Sequence, residues 1–438
     1  MQQWLLFFFV FLVTILFFGM VTLPKHFFTK HKKQILIIGL GLRLICIFLP
    51  PLWEDDWSRY LWEGNLIRNG ESPYQMAPSD FFQKSDLSEK EIEILSQINH
   101  PDWTTIYSPF VLLFFTIFSF EFSGVLLKLS YLVFETLSFI YFSRKQYNKS
   151  QLLYWLFPIL IKEVYLNFHF EILIISFFWI FLNAVKDKKR ILAGILLGLL
   201  VHIKPFSVLY SFYLFRKLQF KNEKNFWILW IFILLSIFFG FFIFYFIYFI
   251  ISPATLDFGI TNLLKFGSDF KFNQFYEPIW NIFGVVDLKT FPFLLHLITM
   301  SVYVFVSLGE KNRYRKFTSA STKLNFYFLY GYFFLTLFPV YNPWYFLILI
   351  PFLVTSKSER ITPWILISVT QLSYLTKARF GLEFNYFYEI PDSILLFEGF
   401  VSIFCLFCHF NQIFILLYRI SNISNIARKG SIGYGNRN

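Results

Sequence analysis

Charged residues are scarce in this chain of 438 amino acids. They make up 15% of the sequence, whereas 56% is hydrophobic and 23% is aromatic, with 65 phenylalanines. Soluble domains carry about 25% charged residues. The composition therefore excludes an ordinary soluble protein and predicts a chain that crosses a membrane several times.

Acidic residues are outnumbered, with 27 Asp and Glu against 39 Lys and Arg and a net charge of +12. A basic chain can bind nucleic acid, but here the Lys and Arg residues fall in short clusters between apolar runs. This pattern is typical of the cytoplasmic loops of membrane proteins, which retain basic residues. We therefore expect no nucleic-acid partner, and we use the clusters to orient the chain.

Cysteine is also scarce, and the sequence lacks signs of signal-peptide cleavage and of internal repeats. The three cysteines, Cys46, Cys405 and Cys408, lie inside apolar segments, which disfavours a disulfide framework or a zinc site. The first apolar run, Trp4 to Met20, has no basic segment before it and no small-residue cleavage site, so we interpret it as a membrane helix. No internal repeat is visible, which disfavours a transporter built from repeats.

Long apolar runs are the main signal that is present. A hydrocarbon core of about 30 Å is crossed by about 20 helical residues. The runs are 4–22, 34–50, 125–143, 151–166, 170–185, 191–216, 226–251, 291–308, 324–338, 343–356, 361–376 and 397–418.

The basic clusters can all be cytoplasmic under two conditions. The 191–216 run must enter and return, which its break at His202-Ile203-Lys204-Pro205 permits because proline interrupts a helix. The 107–122 run must stay outside as a re-entrant or interfacial helix. The resulting prediction is an all-α polytopic membrane bundle of about 13 crossings, with the N-terminus outside and the C-terminus inside.

One transmembrane domain is expected over residues 1–421, followed by a disordered cytoplasmic tail over 422–438. The topology places two long loops outside, 51–106 and 252–290. The first loop has 11 Asp and Glu against 4 Lys and Arg, a net charge of −7 in a chain whose total is +12. This local acidity makes the loop the first candidate for chemistry.

A carboxylate pair, Asp55 and Asp56, follows the second apolar run. A pair of this kind at a membrane surface can act as a general base, although acids beside interfacial Trp and Tyr also occur in simple membrane anchors. Arg59 is three to four residues away and would share a helix face with both acids, where it could orient a carboxylate or hold a phosphate. Asn69-Gly70 then predicts a turn that ends this short helix.

Further polar clusters interrupt apolar runs, where a charge costs about 2.5–3.5 kcal/mol at a helix centre. The topology places all of them on the same side as Asp55 and Asp56. Each could also be an interfacial loop or a polar group satisfied by a neighbouring helix. They are Lys162-Glu163 with Asn167, His169 and Glu171; His202 and Lys204 beside Pro205; and Tyr341-Asn342-Pro343-Trp344-Tyr345.

The first-loop motif resembles a known signature. Asp55-Asp56-Trp57-Ser58-Arg59-Tyr60-Leu61-Trp62-Glu63-Gly64, followed by Gly70-Glu71-Ser72-Pro73-Tyr74, is similar to the first loop of the GT-C superfamily of integral membrane glycosyltransferases. The most similar members are the bacterial polyprenol-phosphate-mannose-dependent mannosyltransferases. Weaker similarities follow at Asn99-His100-Pro101, Glu163 to Glu171, Lys204-Pro205 and Asn342-Pro343-Trp344-Tyr345. The chain departs from the pattern at Asn342, where His is common, and at Ser108, where Pro is common.

The resemblance implies a GT-C bundle that performs inverting sugar transfer from a polyprenyl-phosphate sugar on the outer face of the membrane. The expected location is the bacterial inner membrane with the site facing the periplasm. The implied partners are membrane lipids, the lipid-linked donor and a glycan or glycolipid acceptor. Mannose is favoured, and glucose, galactose and aminoarabinose stay open. No cofactor and no divalent metal are expected.

Roles for individual residues follow from the resemblance and from the chemistry of the residue types. Asp55 or Asp56 is expected to be the base. The donor phosphate is assigned to cationic or imidazole side chains, and the sugar or acceptor to carboxylates and indoles. The phosphate group comprises Arg59, Lys204, Lys162 and His169; the sugar and acceptor group comprises Glu63, Glu163, Glu171, Trp57 and Trp344.

Two other functions remain open from the sequence. A flippase or transporter for a lipid-linked sugar would also contain many helices with polar residues between them, but it would not need an acidic loop with a carboxylate pair. A membrane O-acyltransferase using His100, His169 or His202 is weaker, because these histidines lack a paired motif for acyl transfer.

Overall fold

A computed structural model describes most of the first half of the chain and parts of the second. The described residues are 2–143, 147–210, 234, 238, 242, 246, 259–269, 272–274, 328–329, 331–332, 334–336, 340–356, 360–383 and 387–408. Within them the chain is helical, with one isolated backbone bridge between Phe272 and Val340. The all-α prediction is therefore confirmed for this part of the chain. The predicted tail, 422–438, and most of the 252–290 loop lie outside the described residues.

The chain divides into two compact units. The first comprises residues 1–271 and 344–359, and the second comprises residues 272–343 and 360–438. The single domain expected over 1–421 stays a prediction.

The first unit begins with long helices and continues with shorter ones around the acidic loop. Single turns of 3-10 helix lie at Pro78–Phe81, Phe120–Phe122 and Pro205–Val208, and a π-helical turn lies at Lys162–Leu166. The α-helices are α1 Gln2–Thr22, α2 Lys25–Lys30, α3 Lys32–Ile47, α4 Asp56–Arg68, α5 Glu89–Ser96, α6 Pro109–Phe118, α7 Gly124–Ser143, α8 Lys149–Leu156, α9 Pro158–Ile161, α10 Glu171–Lys186, α11 Arg190–Ile203 and α12 Ile260–Asp269.

Residues 328–329, 331–332 and 334–336 are helical, and further helices with stated bounds follow residue 342. A 3-10 helix covers Pro343–Leu349 and leads into α13, Ile350–Ser356, which belongs to the first unit. In the second unit, α14 is Thr362–Val369, a 3-10 turn covers Thr370–Tyr374, α15 is Lys377–Phe380, and α16 covers 392–408.

Few of the described helices have the length of a membrane span. α7 is long and apolar enough to cross a membrane, and the pair Pro158–Leu166 and Glu171–Lys186 qualifies as a second candidate if its 119° bend lies within one span. Four apolar stretches are shorter than a span by this criterion: the part of α1 that it covers, Phe7–Thr22, and Pro109–Phe118, Ile191–Ile203 and Pro343–Thr355. These criteria concern only length and composition within the described residues, so the 13 crossings stay a prediction.

Two breaks predicted from local sequence are present. α11 ends at Ile203, Lys204 adopts an extended conformation, and Pro205 begins a 3-10 turn, because proline cannot continue the hydrogen-bonding pattern. α4 ends at Asn69-Gly70: the Gly70 amide donates to the Ile67 carbonyl and the Glu71 amide donates to the Leu66 carbonyl. Gly70 has φ +81°, which favours glycine in this type of C-cap.

Helix packing in the first unit holds the acidic loop against the long helices. α10 packs against both α7 and α11, and α4 packs against α6. α3 and α7 are joined by a fully buried ion pair, in which Arg43 donates to both oxygens of Glu135 at 2.7 Å. Tyr154 and Tyr165 also donate to Glu135. A buried charge without such partners would be strongly destabilising.

The second unit contains its own buried polar group. Tyr332 Oη lies 2.9 Å from both Tyr341 Oη and Ser402 Oγ. Asn273 donates to Glu398 Oε1 at 3.2 Å. Glu398 and Ser402 are four residues apart on α16 and therefore lie on the same side of that helix, where both make buried polar contacts.

Candidate active site

The acidic cluster, defined as Glu54, Asp55 and Asp56, lies at the N-terminus of α4. Asp55 is the N-cap residue and Asp56 lies in the first turn, where the helix dipole favours negative charge. The three carboxylates each offer an oxygen within 4.8 Å of the others, and all three residues are half-buried. The predicted pair is therefore part of a triplet.

Asn99 holds the two aspartates side by side. Its Nδ2 donates to Asp55 Oδ1 and to Asp56 Oδ1, both at 2.8 Å. The two carboxylates thus share one neutral amide donor, which fixes their relative orientation.

Arg59 binds the backbone of the segment that carries Asn99. Its NH2 donates to the carbonyls of Asn99 and His100 at 2.9 Å, and its NH1 donates to the Trp103 carbonyl at 3.1 Å. The same NH1 donates to Glu63 Oε1 at 3.1 Å, while Glu63 Oε2 accepts from Thr105 at 2.7 Å. In this conformation Arg59 and Glu63 clamp the 99–105 segment onto α4. Their predicted contacts with phosphate and sugar would require these bonds to exchange.

The π-helical turn at Lys162–Leu166 supplies the opposite wall. Lys162 Nζ donates to Glu163 Oε1 at 2.8 Å, and Asn167 Nδ2 donates to Glu163 Oε2 at 2.9 Å. Asn167 Oδ1 accepts from the Leu52 amide at 3.0 Å, which ties the turn to the segment before the acidic cluster. π-Helical turns are frequent at functional sites because they redirect side chains within a helix.

His169 lies between the two walls and is fully buried. Its Nε2 is 3.6 Å from Glu54 Oε2 and 3.6 Å from Glu163 Oε2. Its Nδ1 is 3.4 Å from Tyr60 Oη, and its ring stacks on Trp344 with centroids 3.9 Å apart. The imidazole is therefore held in one plane and directed at the acids.

Lys204 and Glu171 form a further ion pair in this region, in which Glu171 is buried and Lys204 is half-buried. Lys204 Nζ donates to Glu171 Oε1 and lies 3.8 Å from the centre of the Tyr345 ring. Glu171 begins α10 two residues after His169, so the pair lies next to the imidazole along the chain. The predicted cation at the end of α11 is thus part of the same polar region.

Three strained backbone positions flank these side chains. Trp53 has φ 67°, His100 has φ 46° and Phe168 has φ 67°, in the left-handed region that disfavours bulky residues. Trp53 directly precedes Glu54, His100 directly follows Asn99, and Phe168 directly precedes His169. Conformations of this kind cost about 1–3 kcal/mol each and cluster at functional sites. The packing therefore enforces the positions of these side chains.

The electrostatics of the acidic cluster favour protons on it. Burial, and then the charges of Glu54 and Asp55, raise the pKa of Asp56 to about 7. Burial, and then the charges of Asp55 and Glu163, raise the pKa of Glu54 well above its usual range. Near neutral pH, Asp56 can therefore both accept and release a proton.

The predicted aromatic residues have different surroundings. Trp57 is half-buried and packs on Phe168 with ring centroids 5.7 Å apart. Trp344 is buried, and one of its faces is covered by His169. Trp57 therefore has the greater exposure for a sugar.

The structure brings the predicted residues of the first unit into one region. Glu54, Asp55 and Asp56 lie together, and His169 Nε2 is 3.6 Å from both Glu54 Oε2 and Glu163 Oε2. Lys162 with Glu163 and Lys204 with Glu171 form ion pairs in the same region. Sequence reasoning gave no role to three residues of this region: Glu54 belongs to the acidic cluster, Asn99 binds two of its carboxylates, and Asn167 binds Glu163. The sequence did contain indications of these residues, because Glu54 adjoins the carboxylate pair and both asparagines lie in motifs noted above.

Comparisons of the chain with protein-family models, with curated proteins and with solved structures give no match.

Proposed function

We propose that the chain is an integral membrane glycosyltransferase of the GT-C type. It moves a hexose, with mannose favoured, from a polyprenyl-phosphate sugar to a hydroxyl acceptor with inversion at the anomeric carbon. The observation that carries the proposal is the pairing of Asp55 and Asp56 on the single amide of Asn99, with the ion pairs Lys162–Glu163 and Lys204–Glu171 in the same region. The proposed setting is the outer face of a bacterial inner membrane, spanned about 13 times.

An inside-out distribution of polarity supports the membrane setting. On α3, Arg43 is 0% exposed while Ile37 is 70% exposed. On α7, Glu135 is 0% exposed while Leu137 is 64% exposed. Helices of soluble proteins place apolar residues inside and charges outside, whereas lipid-facing helices do the reverse.

The proposed reaction is a direct displacement. An aspartate of the pair accepts the proton of the acceptor hydroxyl as its oxygen attacks the anomeric carbon. The bond between that carbon and the phosphate oxygen breaks, and the lipid phosphate leaves with the electron pair. The raised pKa of Asp56, about 7, suits a group that exchanges protons near neutral pH.

The lipid phosphate requires positive charge as it departs. Lys204 and Lys162 are the proposed donors, each currently bound to a buried glutamate, Glu171 or Glu163. A phosphate oxygen can replace part of the glutamate contact without leaving the ammonium unpaired. Glu163 and Glu171 are then available to bind sugar hydroxyls, which keeps both pairs in the proposed site.

Reconstitution tests the proposal directly. Purified protein in liposomes that contain a native membrane lipid extract should transfer radiolabel from polyprenyl-phosphate-mannose to a new product, with polyprenyl-phosphate-glucose and polyprenyl-phosphate-galactose as comparison donors. Movement of the labelled lipid between leaflets without a new product would instead support a flippase. Absence of product with every donor would contradict the proposal.

A further inference from the structure

A buried carboxylate outside the candidate site joins four helical elements of the first unit. Glu135 Oε1 accepts from Arg43 NH2 and from Tyr154, both at 2.7 Å. Glu135 Oε2 accepts from Arg43 Nε at 2.7 Å and from Tyr165. These side chains come from α3, α7, α8 and the π-helical turn, and all of them are fully buried. We name the four residues the Glu135 cluster.

The Glu135 cluster is a fixed point because several hydrogen bonds hold each of its charged groups. Arg43 NH1 also donates to the carbonyls of Gly39 at 3.0 Å and Trp155 at 2.7 Å, and its guanidinium lies 4.0 Å from the centre of the Trp155 ring. Gly39 packs so closely that a Cβ there would lie 2.3 Å from the Trp155 indole. Any displacement of the ion pair would leave a buried charge without a partner, which is strongly unfavourable.

Tyr165 connects the Glu135 cluster to the candidate site. It belongs to the π-helical turn at Lys162–Leu166, which also carries Glu163. In an α-helix Lys162 and Tyr165 would share one face, because they are three residues apart. Here their contacts diverge: Lys162 Nζ donates to Glu163, whereas Tyr165 Oη donates to Glu135 on α7. The π-helical turn has more residues per turn and sets the two side chains further apart around the axis.

The backbone of the same turn determines which groups meet His169. The Asn167 amide donates at 3.0 Å to the carbonyl of Lys162, five residues earlier, which is the π-helical pattern. The His169 amide donates to the Glu163 carbonyl at 3.0 Å, and Glu163 Oε2 lies 3.6 Å from His169 Nε2. Rewinding of the turn into an α-helix would therefore move Lys162 and Glu163 relative to His169.

We propose that Tyr165 is a positioning residue, whose hydrogen bond to Glu135 holds the turn in its π-helical form and so places Lys162 and Glu163 in the candidate site. Rewinding would separate a buried phenol from a buried carboxylate oxygen, and polar groups left without partners in this way are costly. The effect on sugar transfer rests on the proposed function. The effect on the conformation of the turn does not.

Hydrogen exchange measured by mass spectrometry tests the turn without any sugar donor. Tyr165→Phe removes only a hydroxyl, so the amides of Asn167 and His169 should exchange roughly tenfold faster or more in peptides that cover the turn. The matched control is Tyr154→Phe, which removes a hydroxyl from the same carboxylate but lies on α8. This control should leave exchange in the turn at the wild-type rate. Exchange in the turn that is the same in both variants would overturn the inference.

Donor kinetics test whether Tyr165 acts in transfer through Lys162. The kcat/KM for polyprenyl-phosphate-mannose should fall roughly tenfold or more in Tyr165→Phe, whereas Tyr154→Phe should keep the wild-type value, although both variants should have similar unfolding midpoints. In a Lys162→Gln background, Tyr165→Phe should cause little further loss, because the cation that it positions is already absent. Losses that multiply independently would overturn the positioning role. Absence of product from the wild type with every donor would contradict the proposed function instead, and the exchange measurement would still decide the role of Tyr165 in the turn.

Discussion

Substitution of Arg59 can distinguish two roles for this residue, which are positioning the aspartate pair and binding the donor phosphate. Its guanidinium contacts three backbone carbonyls and Glu63 at 2.9–3.1 Å, and its side chain is 7% exposed. Arg59→Lys keeps the charge but replaces a planar fork with a single nitrogen. We predict that this substitution damages the site nearly as much as Arg59→Gln.

The size of the effect follows from the bonds that lysine cannot make. A hydrogen bond to a charged group contributes about 1.5–3 kcal/mol. If the ammonium reaches only two of the four acceptors, the loss is about 3 kcal/mol or more of unfolding free energy. Because Asn99 then loses its support, the aspartate pair shifts. A displacement of about 1 Å lowers the rate roughly 100-fold.

Denaturant unfolding and initial transfer rates measure the two effects. Arg68→Lys is the matched control, because Arg68 lies on the same helix and its NH2 donates to the Thr116 carbonyl, away from the aspartates. It should retain most of the transfer rate. An Arg59→Lys variant with unchanged stability and kcat but a raised KM for the donor would refute the positioning role and support a phosphate contact.

Two further substitutions test the site and its scaffold. Asn99→Asp removes the amide shared by Asp55 and Asp56 and adds a like charge, so the initial transfer rate should fall roughly 100-fold; a near-normal rate would show that the amide does not organise the pair. Glu135→Gln leaves the buried guanidinium of Arg43 without its counter-charge and should lower the unfolding free energy by about 3–5 kcal/mol in a denaturant titration. An unchanged midpoint would contradict the burial of this ion pair.

Local sequence signals predicted the features that depend on neighbouring residues. Pro205 ended α11 and Asn69-Gly70 ended α4, because proline lacks an amide donor and glycine adopts the left-handed conformation. The helical character of the acidic loop followed in the same way. These features require no knowledge of distant parts of the chain.

Features that depend on tertiary packing were not predictable from one sequence. Helical spacing suggested that Arg59 faces Asp55 and Asp56, but it donates to Glu63 and to carbonyls about 40 residues away. The pairing of Arg43 with Glu135 spans 92 positions. The π-helical turn at Lys162–Leu166 was not predicted either, because no local sequence motif marks it in this chain. Its place in the site depends on packing against the segment before the acidic cluster.

The most direct test of the account is a single-turnover assay on the carboxylate pair. Asp55→Asn combined with Asp56→Asn keeps the shape of both side chains and removes their basicity. Purified wild-type protein should transfer labelled mannose from polyprenyl-phosphate-mannose in the native lipid extract. The double variant, with the unfolding midpoint of the wild type, should form product at least roughly 100-fold more slowly, because general-base catalysis contributes about that much or more. Transfer by the double variant at the wild-type rate would contradict the assignment of the base.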